Sequence, residues 1–277
     1  MTGSPPPDER PSRTVRSADG TPIAVFTSGT GPPLVLIHGA AADHTTFRVL
    51  GPLLANRFTI HAIDRRGRGA SGDTDPYAIE REFEDVAAVT SALAPEHGGP
   101  VDVFGHSYGG RCALGAALLS PDIRHVISYE GAPTPPGERY GDASLASELG
   151  ALAYAGQAET LLVTFMTRVV GMTADELDRY RADPVWPRRV AAAPTIAREV
   201  AVESGDEAGL DRMGAVRQPV LQVLGGDSRR EFRVATAALD DRLAEGTIVV
   251  IPGARHAAHH THPDAVVEAV SAFLGAP

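Results

Sequence analysis

The sequence predicts an α/β protein built on a mostly parallel, doubly wound sheet with a helical insertion past its middle. Three observations carry this. Short apolar, β-prone runs alternate with helix-like segments through the first half and again near the end. That rhythm stops between Ala132 and Gln218. A Gly-His-Ser-Tyr-Gly pentapeptide, Gly105 to Gly109, sits where an apolar run passes into a helix-like one. Parallel strands need long crossover connections, usually helices, so strands alternating with helices imply a parallel sheet covered on both faces.

Composition narrows the function. The 277 residues fit one large α/β domain. Lys+Arg 25 against Asp+Glu 35, a formal net charge of -10, disfavours nucleic acid and anionic membrane surfaces as partners and fits a small-molecule ligand. Cys112, the single cysteine, excludes an intrachain disulfide and is expected on a buried helix face. Residues 1–12 are expected to form a disordered leader: they lack a signal peptide's basic start and apolar stretch. No run of 18 uncharged apolar residues occurs, so a soluble cytoplasmic protein, monomer or homodimer, is expected.

In order along the chain, residues 13–17 and 23–27 flank Ala18-Asp19-Gly20-Thr21, which predicts a hairpin. Pro33-Leu34-Val35-Leu36-Ile37 is apolar on both faces, as a buried parallel strand requires. Residues 45–55 predict a helix that Pro52 splits into two short pieces, and residues 58–64 the next strand. In 78–94, Ile79, Phe83, Val86, Val89 and Leu93 recur at spacings of four and three, one face of an amphipathic helix. A strand from Val101, a helix over 110–119 and a strand over 125–131 follow. From 132 to 218 only helical pieces stand out: 159–170, 174–181 with Thr173 and Glu176 spaced as a capping box, and 188–202 interrupted by Pro194. The sheet pattern resumes with a strand at 219–225, a helix at 230–243, a strand at 247–252 and a last helix at 263–274, with Thr261 and Asp264 in capping positions. The expected division is 13–131 and 219–277 as one core, with 132–218 as a cap over it.

Ser107 lies at a strand-to-helix turn between glycines two before and two after it, the setting of a nucleophile elbow. A serine hydroxyl is a poor nucleophile near neutral pH and needs a base, an acid to orient that base, and donors for the developing oxyanion. His256 follows the 247–252 strand through Gly253-Ala254-Arg255 and comes after Ser107, as the order serine, acid, histidine demands. His259, His260 and His262 crowd the same stretch, yet no cysteine joins them and Asp264 has a simpler task at a helix start, so no metal and no cofactor are expected.

Together these motifs resemble the α/β-hydrolase fold. His38-Gly39-Ala40 is similar to the family's segment after the third strand, Asp64 to Gly72 to its glycine-rich turn, and Gly253-Ala254-Arg255-His256 to the loop bearing its catalytic histidine. The resemblance implies an oxyanion hole from the Ala40 and Tyr108 backbone N–H groups and a helical cap at 132–218. It implies an acid after the strand that follows the cap, but Gly225-Gly226-Asp227-Ser228 puts serine there and Asp227 one place early. Glu130, closing the strand after the elbow helix, is the first candidate for the acid and Asp227 the second. For each there is a structural alternative: a salt bridge to the cap for Glu130, an N-cap for Asp227. His38 and Asp64 are expected to orient the glycine loops, His106 to pack below the turn, Arg65, Arg66 and Arg68 to be structural or solvated, and Phe165, Met166, Tyr180 and Trp186 to fill the cap core. The implied activity is hydrolysis of an ester, thioester or lactone of a small molecule. C–C hydrolase, lyase or cofactor-free peroxidase chemistry, or ligand binding without catalysis, are the alternatives.

Overall fold

The computed structural model describes residues 10–142, 144–203 and 205–276. Eight strands form one sheet: β1 Arg13–Arg16, β2 Pro22–Ser28, β3 Pro33–Ile37, β4 Thr59–Ile63, β5 Val101–His106, β6 Ile123–Tyr129, β7 Val220–Gly225 and β8 Gly246–Ile251. Their order across the sheet is β1-β2-β4-β3-β5-β6-β7-β8. The β1–β2 and β2–β4 pairings are antiparallel and every other pairing is parallel. The chain leaves β3 for β4 on one side and returns past it to β5 on the other, with Ile37 beside Gly105. Ligands of open parallel sheets bind outside the carboxyl ends of the strands at such a reversal.

Both sheet faces are covered. Along β3, Val35 and Ile37 join the apolar core that includes the helix Ile79–Leu93 and the helix Tyr108–Ala117, while Leu34 and Leu36 join the opposite core with Leu50, Leu54, Val266 and Val270. This is the two-residue alternation of a strand buried on both faces. A third cluster belongs to the helices between β6 and β7, where Leu145, Leu149, Leu162, Trp186 and Ile196 pack with Ala41 of the loop after β3.

Most expected elements are present, with instructive differences. The 45–55 segment is a 3-10 turn, His44–Phe47, and a separate helix, Leu50–Leu54; Pro52 lies in that helix's first turn, where no intrahelical N–H bond is lost. The capping box at Thr173 and Glu176 is complete. Pro194 begins a new helix, Pro194–Val202, after Trp186–Ala192. The helix Leu145–Tyr154 went unread in the sequence, although Leu145 and Leu149 are spaced for one face; Gly150 and the polar stretch before it obscured the period. Thr261 does not cap the last helix: the residue before Pro263 is His262, and Thr261 ends a short helix, Ala258–Thr261. Nor does Asp227 cap the helix Arg230–Asp240, whose preceding residue is Arg229. The expected leader lies mostly outside the described residues, but Ser12 is tied to the sheet edge: its N–H donates to the Val25 carbonyl at 2.8 Å.

The passage from β5 into the helix Tyr108–Ala117 depends on bare backbone. A Cβ at Gly109 would run into the carbonyl oxygens of Ile37 and His38, and one at Gly105 into the Gly109 carbonyl. Gly109→Ala is therefore expected to destabilise the protein by about 1–3 kcal/mol through overpacking against rigid backbone, read as a lowered unfolding midpoint in denaturant. An unchanged midpoint would contradict the close approach.

Candidate active site

Three non-glycine residues among those described have positive φ: Ala41 (48°), Ser107 (55°) and Glu130 (48°). Each follows the carboxyl end of one of the adjacent strands β3, β5 and β6. Such backbone is costly and persists where surrounding structure enforces it, commonly at functional sites. Ser107 is half-buried at the start of the helix Tyr108–Ala117, with Tyr108 in its first turn.

Glu130 is 3% exposed and fully engaged. Its Oε1 accepts from the Gly225 N–H at 2.8 Å and from the Ser228 hydroxyl at 2.5 Å. Its Oε2 accepts from His256 Nδ1 at 2.6 Å. A carboxylate only accepts, so Nδ1 carries the proton, and in the neutral ring Nε2 is an acceptor. Asp227 is exposed; what it contributes to the loop is its N–H, donated to the Ala254 carbonyl at 2.8 Å. Ser228, at the usual acid position of the α/β-hydrolase pattern, supplies a hydroxyl to Glu130 instead.

The loop that carries His256 is held from below. His106 Nε2 donates to the His256 carbonyl at 2.8 Å, so His106 packs beneath the turn and fixes its neighbour's backbone. The Tyr129 hydroxyl donates to the Arg255 carbonyl and accepts from the Ala258 N–H. Phe232 stacks on the His256 ring with centroids 4.5 Å apart. Sequence reading missed Tyr129, Phe232 and Ser228; Ser228 alone had a signal, by standing where an aspartate was expected.

The glycine loops are ordered by buried polar groups. The Arg65 N–H donates to His38 Nε2 at 3.0 Å, and Asp64 accepts from the N–H groups of His44 and Ala70, each at 2.8 Å. Arg65 and Arg68 both pair with Glu82 and with Glu199 of the inserted helix Pro194–Val202, and Arg66 pairs with Asp85 and Asp19. These arginines are structural and buried. Phe165, Met166 and Trp186 are buried in the cluster of the inserted helices, and Tyr180 packs edge-on to Trp186. Cys112 is buried, and burial pushes its thiol well up. Among the described residues no three His, Cys, Asp or Glu side chains are grouped to hold a metal, and no helix is long and apolar enough to cross a membrane.

Ala40, Ser107, Tyr108, Glu130 and His256 line one pocket, together with Phe165, Val169, Glu199 and Val200 of the segment between β6 and β7. Tyr140, Val169, Val200 and Glu203 form a wall shared with a larger cavity of about 520 Å³ beyond it, lined further by residues 133–142 and by Gly205, Asp206 and Leu210.

Residues 34–269 match the alpha/beta hydrolase family. An alpha/beta hydrolase from Sphaerobacter thermophilus superposes with a TM-score of 0.81 at 34% identity, covering 95% of this chain and all of that one. The 2-(acetamidomethylene)succinate hydrolase of Mesorhizobium japonicum is 27% identical over 92% of each chain. The pimeloyl-[acyl-carrier protein] methyl ester esterase of Xanthomonas campestris is 28% identical over 90% of this chain and 97% of its own. A carboxyl-edge pocket of this kind on a sheet wound in this order is that of an enzyme fold of hydrolases. The chain belongs to the alpha/beta hydrolase family.

Burial holds His38, His106 and His259 well below the usual histidine range, with neighbouring cationic Arg65 next in effect at His38, His256 at His106 and His106 at His259. Unfolded, these rings take up protons below about pH 6.5, while in the folded protein they stay neutral. The unfolded state then binds more protons, so stability present above about pH 6.5 is lost as pH falls, by up to about 1.4 kcal/mol per unit for each ring. Denaturation midpoints measured from about pH 8 down to about pH 5 are expected to fall in the lower half of that range; a flat profile would refute neutral burial.

Proposed function

We propose that this protein is a serine hydrolase that cleaves an ester-like bond of a small molecule through Ser107, His256 and Glu130. The observation that carries the reading is the 2.6 Å bond from His256 Nδ1 to Glu130, which leaves Nε2 to act as base in a pocket whose wall includes Ser107. His256 Nε2 takes the hydroxyl proton of Ser107 as its oxygen attacks the carbonyl carbon. The Ala40 and Tyr108 N–H groups hold the oxyanion, and the strained backbone at Ser107 keeps the hydroxyl at the mouth of the pocket. Collapse of the tetrahedral adduct expels the leaving group, which receives the proton from His256. Water, deprotonated by the same ring, then attacks the acyl-enzyme and releases the acid and free Ser107. Residues 132–218 act as the cap that excludes bulk water, and the cavity beside the pocket serves as its approach. Relatives named as esterases and as hydrolases of an acetamido compound support hydrolysis of an acyl group in general.

Two experiments test this. A fluorophosphonate probe is expected to form a single adduct, located on Ser107 by mass spectrometry, and Ser107→Ala to remove both the adduct and turnover; labelling elsewhere, or none, rejects the reading. With Glu130 as acid, Glu130→Gln should lower kcat by about 10²–10⁴-fold, in line with loss of an orienting carboxylate, while Asp227→Asn should change it less than about threefold. The opposite ranking would move the acid to Asp227.

A further inference from the structure

The pocket beside Ser107 has a charge pattern that hydrolysis alone does not require. Glu199 lines it, with its side chain 2% exposed. One carboxylate oxygen, Oε1, is taken by Arg65 and Arg68. The other, Oε2, is buried and has no hydrogen-bond partner among the described residues. A buried charged acceptor left unpaired is costly, and such exceptions in native structures call for a missing donor.

The surrounding charges define that donor. Arg65 and Arg68 balance Glu82 and Glu199 in number, so the cluster is locally neutral and a further cation would leave it positive. Glu203, paired with Arg111 at 3.2 Å, and Glu130 are the other carboxylates on the pocket wall, and no arginine side chain lines it. An anionic group entering this space would meet three carboxylates on the wall, while Arg65, Arg68 and Arg111 lie behind it, already engaged with Glu199 and Glu203. A neutral hydroxyl or amide N–H would satisfy Oε2 and add no charge.

We propose that the substrate carries a neutral hydrogen-bond donor that binds Glu199 Oε2, so that this pocket selects uncharged, donor-bearing acyl groups and rejects carboxylate-bearing ones. The inference rests on the serine hydrolase reading. It separates this chain from its relatives named for a substituted succinate, a dicarboxylate.

The test is a set of p-nitrophenyl esters of matched chain length, about three to six carbons, ending in methyl, carboxamide, ammonium or carboxylate. The expected result is a kcat/KM for the carboxamide at least about tenfold above the methyl compound at one chain length, and for the carboxylate at least about tenfold below it, as a hydrogen bond to a charged group implies. Glu199→Gln should shrink the carboxamide-to-carboxylate ratio about tenfold, a ratio that does not depend on how much of the variant folds. Equal rates across termini, or a preference for ammonium or carboxylate, would overturn the proposal while leaving the serine hydrolase reading intact. If no ester turns over and Ser107 takes no fluorophosphonate, that reading fails instead. The selection is then read from binding of methyl ketones with the same termini to Ser107→Ala by calorimetry, where tighter binding of the carboxamide supports the site and its absence rejects it.

Discussion

One buried carboxylate holds together three chain segments that are remote in sequence. Glu130 follows β6, accepts from the N–H of Gly225 at the end of β7 and from the hydroxyl of Ser228 just past it, and accepts from His256 on the loop after β8. Removing its side chain would leave three donors to rearrange at once. A buried charge is tolerated only when its hydrogen-bonding capacity is filled, and here it is filled by two neutral donors and one ring nitrogen. The position of His256 follows from that saturation, with His106 and Tyr129 holding the same loop by its backbone.

The sheet explains why these segments meet. Because the chain turns back at β3, the loops after β3, β5 and β6 emerge side by side, and each carries a residue forced to positive φ. The strain at Ala41, Ser107 and Glu130 is supported by rigid packing beneath, in which Gly105 and Gly109 let backbone lie against backbone. Rigidity in the core is thus spent where three loops must present their groups within one small pocket.

The strand pattern was legible because parallel strands buried on both faces are continuous apolar runs, as at Leu34 to Ile37, and because Gly105 to Gly109 mark a turn with few backbone solutions. The pairing of His256 with Glu130 rather than with Asp227 was left open. Both carboxylates close a strand, and a one-residue offset in a loop decides which turns inward; periodicity carries no such information. Ser228 and Tyr129 escaped because an ordinary hydroxyl acquires its role only through partners some hundred residues away. The helix Leu145–Tyr154 escaped because its buried apolar face is narrow, resting on Leu145 and Leu149. The arginines of the Arg65 to Arg68 loop read as structural or solvated without a choice between the two, since a sequence does not reveal that Glu82 and Glu199 converge on them from two helices.

That convergence governs how the molecule can move. Glu199 bolts the helix Pro194–Val202 to the loop after β4 through two buried guanidinium groups, and Arg189 of the preceding helix grips Asp43 at 2.8 Å on the other side. Swinging these helices away as a lid would strand several charges in a dry interior, at a cost of several kcal/mol for each uncompensated ion. The roof is therefore a fixed vault rather than a hinged door, and the space beside it is the larger cavity beyond the wall of Tyr140, Val169, Val200 and Glu203.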